Sequence, residues 1–343
     1  MPLLLLAISG GSIALFLWQN DLSTMGRAFG SANPLLGVAA LGLFLLHHVA
    51  RAERFGVLLG HIHDCGRWLP MRALTIGVAA NSVLPAKAGH VARAHVVSRE
   101  TPMSKGAVSG SFIVEALFDG LFVLALMLVA LAFVPLGMEV RSSVLAFAGF
   151  IGLGALLAIL AAMGRLPAAP PRLLLRRCPP RFERTLTELG SQAGEGMGLL
   201  RSARRVSRVL GATTVAYGLQ AAAFLVLARA LSLDLSFTEA TTVVAVTTMA
   251  GMLPGIGGGL GTFEVVTGHT VAAMGFSSAG AAAYAVALHA LLVIPLALLG
   301  LAFLWAGRRG ERRSVSRISA SGEIDATPHP ALLQTEIEPE RAA

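Results

Sequence analysis

The chain has 343 residues, 55% of them hydrophobic and 13% charged, and a formal charge of +8. Soluble domains carry about 25% charged residues, so this composition excludes a water-soluble enzyme and predicts a polytopic membrane protein. The basic side chains, arginine except for Lys87 and Lys105, fall in short segments between apolar runs, which argues against nucleic acid as a partner and for the charge bias of cytoplasmic membrane loops.

Residues 2–19 are apolar throughout. No basic segment precedes them and no small-residue cleavage site follows, so they read as a retained first span and not a signal peptide. Trp18 suits the membrane interface. A short polar loop, 20–33, leads to a second span at 34–50. Arg51, Arg54, Arg67 and Arg72 follow it and mark the cytoplasmic side. His47 and His48 read as interfacial. The His61, His63, Asp64, Cys65 run has no second ligand cluster and reads as solvated surface, so no metal is expected. Residues 73–84 are apolar but too short to cross, because a span needs about 20 residues. Pro85 ends that segment, and 87–100 carries Lys87, His90, Arg93, His95 and Arg99. The pair predicts a hairpin that enters and leaves on the cytoplasmic side.

Residues 107–133 form the third span, with Glu115 and Asp119 inside it. After a short outer loop at 134–142, the fourth span occupies 143–163. The segment 165–208 is the most basic of the chain and holds two Pro-Pro pairs, at 170–171 and 179–180. The span count independently places it in the cytoplasm. Cys65 and Cys178 then both face the cytoplasm as free thiols. The fifth span is 209–230 and the outer loop 231–239. Residues 240–252 are again too short to cross, and 262–276 return, which predicts a second hairpin entering from outside. The sixth span is 281–305. The tail from 306 to 343 starts with arginines, turns polar and acidic, and reads as disordered cytoplasmic sequence.

Two interruptions organise this pattern. Ala250 to Glu264 carries Pro254, a cluster of five glycines from Gly255 to Gly261 and a carboxylate inside an apolar region; Ala80 to Arg93 carries Pro85, Gly89 and basic side chains. A glycine costs about 1 kcal/mol relative to alanine within a helix, and proline removes an amide donor. Broken backbone at membrane depth is tolerated where protein or a water-filled cavity satisfies it. Each half, 1–133 and 143–305, holds three spans with a hairpin (about 73–100 and 240–276) before its third. An odd number of spans per half inverts the second half relative to the first. The expected fold is an all-α polytopic membrane protein of six transmembrane helices plus two re-entrant helical hairpins in an inverted repeat. Matched interrupted segments point to a transport site; two unrelated proline kinks in an ordinary bundle are the competing reading.

The run Asn81-x-x-Leu84-Pro85-x-x-x-Gly89, then Arg93, then Glu115-x-x-x-Asp119, resembles the lysylphosphatidylglycerol synthase transmembrane-region family. Leu253-Pro254, Gly258-Gly259-Leu260-Gly261 and Glu264 are similar to its second-half signature. The resemblance covers about residues 1–310 and implies a flippase-like membrane unit. Histidine stands at 90 where the family has glutamate, and alanine at 116 where it has arginine, so substrate identity is not carried over. Residues after about 306 are too few and too polar for the aminoacyl-transfer domain of bifunctional relatives, and the synthase activity is not carried over either.

Carboxylates in a span cost about 2.5–3.5 kcal/mol on insertion scales and face a cavity or a partner. Glu115 and Asp119 are four apart and share a helix face; they are expected to line a polar groove or to pair with Arg93 or Lys87. Glu264 reads as a groove carboxylate or as an acid at a helix N-terminus, which is worth about 0.3–1 kcal/mol. His289 lies mid-span, at the place in the second half that Glu115 occupies in the first. The amides near Gly258, Gly259 and Gly261 offer an anion site, but no nucleotide-type phosphate loop is present. The expected groove residues are therefore Asn81, Lys87, His90, Arg93, Glu115, Asp119, Gly258, Gly259, Gly261, Glu264 and His289, with helix breaks at Pro85 and Pro254. The expected activity is movement of a phospholipid, glycolipid or isoprenoid-type lipid headgroup across the bacterial inner membrane, with both termini cytoplasmic and with no catalytic residues, cofactor or ATP site. Expected partners are membrane lipid, further copies of the chain, and lipid-synthesis enzymes. Two alternatives remain open: a non-transporting accessory subunit of hopanoid or glycolipid synthesis, and a membrane-embedded transferase using Glu264 or His289 as base.

Overall fold

A computed structural model of the chain describes residues 2–19, 22–83, 88–134, 137–162, 198–251 and 259–321. Among them there are eleven α-helices and no strand. In chain order these are α1 (Pro2–Gln19), α2 (Leu22–Gly30), α3 (Pro34–Leu59), α4 (Trp68–Val83), α5 (Gly89–Glu100), α6 (Lys105–Phe133), α7 (Met138–Ala162), α8 (Ala203–Ala230), α9 (Phe237–Ala250), α10 (Thr262–Ala273) and α11 (Ser278–Ser321). Two compact units result, Met1–Leu301 and Ala302–Ala343. The first holds the bundle; the described part of the second is helical to Ser321, and 322–343 lie outside the described residues. The interruptions at Pro85 and Pro254, together with Lys87 and Gly258, also lie outside them.

The starts of the long helices follow from local chemistry. Asn33 opens α3 by accepting from the amides of Leu35 and Leu36, with Pro34 in the first turn, where its missing donor costs nothing. The Ser104 hydroxyl accepts from Ala107 N at the start of α6. Ser236 and Glu239 form a reciprocal capping box on α9. Among the described residues, four helices are long and apolar enough to cross a membrane: 34–59, 105–133, 203–230 and 278–306. The expected first and fourth spans are helical as α1 and α7, and contribute shorter apolar stretches, Ser9–Trp18 and Val144–Gly154. Large apolar side chains such as Leu35, Phe133, Phe150 and Leu298 point outward, as a lipid-facing surface requires.

The second span was expected to end at Ala50. Instead α3 continues to Leu59, because no proline intervenes before Gly60, the single Gly56 is tolerated, and Arg54, 1% exposed, has buried partners. The second spans of the two halves, α3 and α8, share the most extensive helix–helix contact among the described residues. Around them one core draws on Phe44 of α3, Met127 of α6, Phe224 of α8, Val244 of α9, Phe263 of α10 and Tyr284 of α11.

Helices α4 and α5 form an antiparallel pair. The Asn81 carboxamide oxygen accepts from Gly89 N at 2.7 Å, Arg72 pairs with Glu100, and Ala73 packs with Ala94 and Val97. Their crossing is close because glycines face it: a Cβ on Gly89 would fall onto the Gly77 carbonyl, and one on Gly77 onto the Arg93 side chain. In the second half α9 packs on α10, and α10 on α1. At Gly261 φ is +87°, and a Cβ there would lie 2.7 Å from the backbone nitrogen of Ile13. Both the conformation and the approach of α1 call for glycine at that position.

Candidate functional site: a buried charge cluster and a second acid pair

The polar interior is assembled from helix stripes. On α3, His47, Arg51 and Arg54 recur at helical spacing; on α8, Thr213, Tyr217 and Gln220 do the same; on α6, Glu115 and Asp119 share a face. These stripes meet. Arg54 donates through Nη1 and Nη2 to the two oxygens of Asp119 at 2.5 and 3.0 Å, a forked pair. Its Nη2 also donates to Glu115 Oε1 at 3.0 Å, and its Nη1 to Thr213 Oγ1 at 3.3 Å. The other oxygen of Glu115 accepts from Arg93 Nη2 at 2.8 Å. The Arg93 guanidinium lies over two rings, 4.1 Å from the Phe55 centroid and 4.5 Å from that of Phe112, an arrangement favoured by the ring quadrupole. Tyr217 donates to Asp119 Oδ1 at 3.3 Å. Arg51, 30% exposed, approaches Glu115 only to 3.9 Å.

His47 and His48 are buried, at 5% and 3% exposure, and not interfacial as expected. The reason is the partners that α8 and α4 bring. His47 Nδ1 donates to the Ala216 carbonyl at 2.7 Å. Thr75 gives its hydroxyl proton to the Met71 carbonyl, so His48 Nε2 is the donor in the 2.9 Å contact with Thr75 Oγ1.

Beside this cluster lies a cavity of about 250 Å³. Its polar lining includes Arg51, Arg54, Asp119, Tyr217, Gln220 and Thr248, and its apolar lining Phe44, Val78, Leu292 and Leu296. Val78 on α4 and Thr248 on α9 precede their prolines in the sequence by seven and six residues. The first arms of both interrupted pairs thus border one space.

The second half holds its own pair. Glu264, 6% exposed, accepts at Oε2 from Gly261 N at 2.7 Å and meets His289 Nδ1 at Oε1 at 2.6 Å. Glu264 is thus the acid at the start of α10, and its second oxygen is engaged by His289. The Gly261 amide offered to an external anion is therefore already taken by Glu264. Thr262 donates to the Gly259 carbonyl at 2.8 Å, and Gly259 has φ +94°. Glu264 also borders a separate cavity of about 200 Å³ with Phe16, His269 and Ser278.

Of the expected groove residues, Arg93, Glu115 and Asp119 come together, and Glu264 with His289 forms a separate pair. Asn81 instead closes the α4–α5 pair, and His90 is exposed with its ring 5.4 Å from Phe112. The expected partner of the carboxylates was Arg93 or Lys87; Arg54 is the residue that sequence reasoning missed. Its signal was present: His47, Arg51 and Arg54 form a polar stripe continuous with an apolar helix, while the two carboxylates of α6 outnumber Arg93. In each half, a residue near the start of the returning helix pairs with the following long helix, Arg93 to Glu115 and Glu264 to His289, with the acid on opposite partners.

An all-helical, multi-pass membrane protein that keeps ion pairs and cavities inside its bundle is the class these features define. The chain belongs to the lysylphosphatidylglycerol synthase TM region family, whose model matches residues 3–300. No curated protein and no solved structure matches it.

Proposed function

We propose that the protein moves the polar headgroup of a membrane lipid from one leaflet to the other while the tails stay in the bilayer. The observation that carries this reading is the cavity lined both by the charged Arg51, Arg54 and Asp119 and by the apolar Leu292 and Leu296, with a residue from an arm of each interrupted pair among its lining. Charged groups inside a membrane bundle are costly and mark pathways for polar cargo. A space with charged and apolar lining suits an amphiphile. In this reading α4–α5 and α9–α10 are re-entrant hairpins from opposite faces, α1 and α7 complete six spans, and the two halves form an inverted repeat in an inner membrane with both ends cytoplasmic. The paired contacts Arg93–Glu115 and Glu264–His289 support the repeat. The protein acts as a translocator and not as an enzyme.

The test is reconstitution of the purified full chain into liposomes carrying a headgroup-labelled phospholipid, with quenching of the outer leaflet by an impermeant reductant. Translocation raises the quenched fraction above the half seen in empty vesicles, and Arg54→Ala and Arg93→Ala slow it at least tenfold. Quenching that stops at one half, with correctly inserted protein, removes the reading in favour of an accessory role.

A further inference from the structure

Resting on the translocation reading, we infer that the cavity beside Arg51 is a binding site for a net-anionic phosphate headgroup, one without a cationic group of its own. Three guanidiniums, Arg51, Arg54 and Arg93, share two carboxylates, Glu115 and Asp119. Among the described residues the cluster thus holds one more guanidinium than carboxylate. The distribution of contacts identifies which guanidinium is the extra one. Arg54 is forked onto Asp119 and Arg93 is held by Glu115 at 2.8 Å, whereas Arg51 stands 3.9 Å from Glu115 and is the most exposed of the three. Arg51 borders the cavity.

Further donors surround the same space. Arg54 and Gln220 line the cavity as well, and the Thr248 hydroxyl beside them gives its proton to the Val244 carbonyl and offers no donor. A guanidinium presents a planar fork that matches phosphate oxygens two at a time. Arg51, 3.9 Å from its nearest described carboxylate and 30% exposed, keeps donors for an anion that enters beside it. At about 250 Å³ the space is below the roughly 300–1,000 Å³ of sites that enclose a drug-sized ligand. It fits a headgroup and leaves the tails to the apolar lining at Leu292 and Leu296. A zwitterionic headgroup brings its own cation next to Arg51 and loses the advantage. Asp119, in the same lining, repels an anion, but its two oxygens are both engaged by Arg54.

Purified full chain in detergent is titrated with short-chain phosphatidylglycerol, short-chain phosphatidylcholine or inorganic phosphate, and binding is followed by native mass spectrometry. Phosphatidylglycerol is expected to bind at least tenfold more tightly than phosphatidylcholine. Arg51→Gln removes that preference, and Arg51→Lys restores part of it; thermal unfolding of each variant reports whether the bundle is intact. Equal affinity for the two lipids, or a preference unchanged in a folded Arg51→Gln protein, overturns the assignment. Inorganic phosphate bound as tightly as phosphatidylglycerol overturns its lipid part. The liposome assay separates this site from the translocation it rests on: equal transfer of both lipids leaves translocation standing and removes the anionic site, whereas Arg51-dependent binding without transfer does the opposite.

Discussion

Glu115 is the residue on which the first-half cluster turns, since it alone touches Arg51, Arg54 and Arg93. Glu115→Gln leaves three guanidiniums facing one carboxylate. Breaking a buried ion pair on one side costs about 3–5 kcal/mol, so the variant is expected to unfold at markedly lower denaturant in detergent micelles. Replacing Arg93 and Glu115 together by methionine and leucine costs less than the two single losses added, because neither charge is then left alone. For Glu264 the expected loss on change to alanine is about 2–4 kcal/mol. It combines about 1 kcal/mol for the acceptor at the helix start with about 1–3 kcal/mol for leaving His289 unpartnered. Glu264→Gln keeps an acceptor for Gly261 N and is expected to be milder in the same measurement.

At the scale of elements, the crossing of α4 and α5 sets where Arg93 sits. Gly89→Ala drives a methyl into the Gly77 carbonyl, a backbone atom that cannot rotate away. Gly77→Ala meets the Arg93 stem, which has rotamers to yield. Overpacking costs about 1–3 kcal/mol, and Gly89→Ala is expected at or above the top of that range. Gly77→Ala is expected to leave unfolding closer to normal while displacing the guanidinium from Glu115. Amide hydrogen exchange across 89–100, set beside lipid transfer by each variant, separates the two effects: faster exchange in Gly89→Ala, slower transfer with near-normal exchange in Gly77→Ala. In the second half, Gly261→Ala carries both a disfavoured φ and a clash with α1, and is expected to loosen α1 from α10.

For the whole molecule, the orientation of the bundle is testable at one thiol. Cys65 lies between α3 and α4, outside both helices. Partial burial, followed by the neighbouring Asp64 carboxylate, pushes its thiol above the ordinary range. The reactive thiolate is therefore scarcer at neutral pH, and maleimide labelling accelerates as pH rises past that of an ordinary cysteine. In a Cys178→Ser background, an impermeant maleimide is expected to label Cys65 only after permeabilisation from the outside. Labelling of intact cells would invert the orientation.

Composition alone determined the class of molecule, because hydrocarbon-rich helices of this length have no stable arrangement in water. The positions of most helices were also legible, since apolar run length and proline and glycine interruptions are local properties of the chain; α2, within a stretch read as a polar loop, and the run of α11 past residue 305 were not. So was the pairing of Glu115 with Arg93, because an acid in a span demands a cation and Arg93 was one of two offered. Only the tertiary structure decided that α3 runs on past Ala50 and delivers Arg54 to Asp119, that His47 and His48 are interior, and that His289 answers Glu264. Each of these is a contact between helices far apart in the chain, and which stripe faces which depends on how whole helices pack. Residue type and spacing along one helix call for a partner without fixing which helix supplies it.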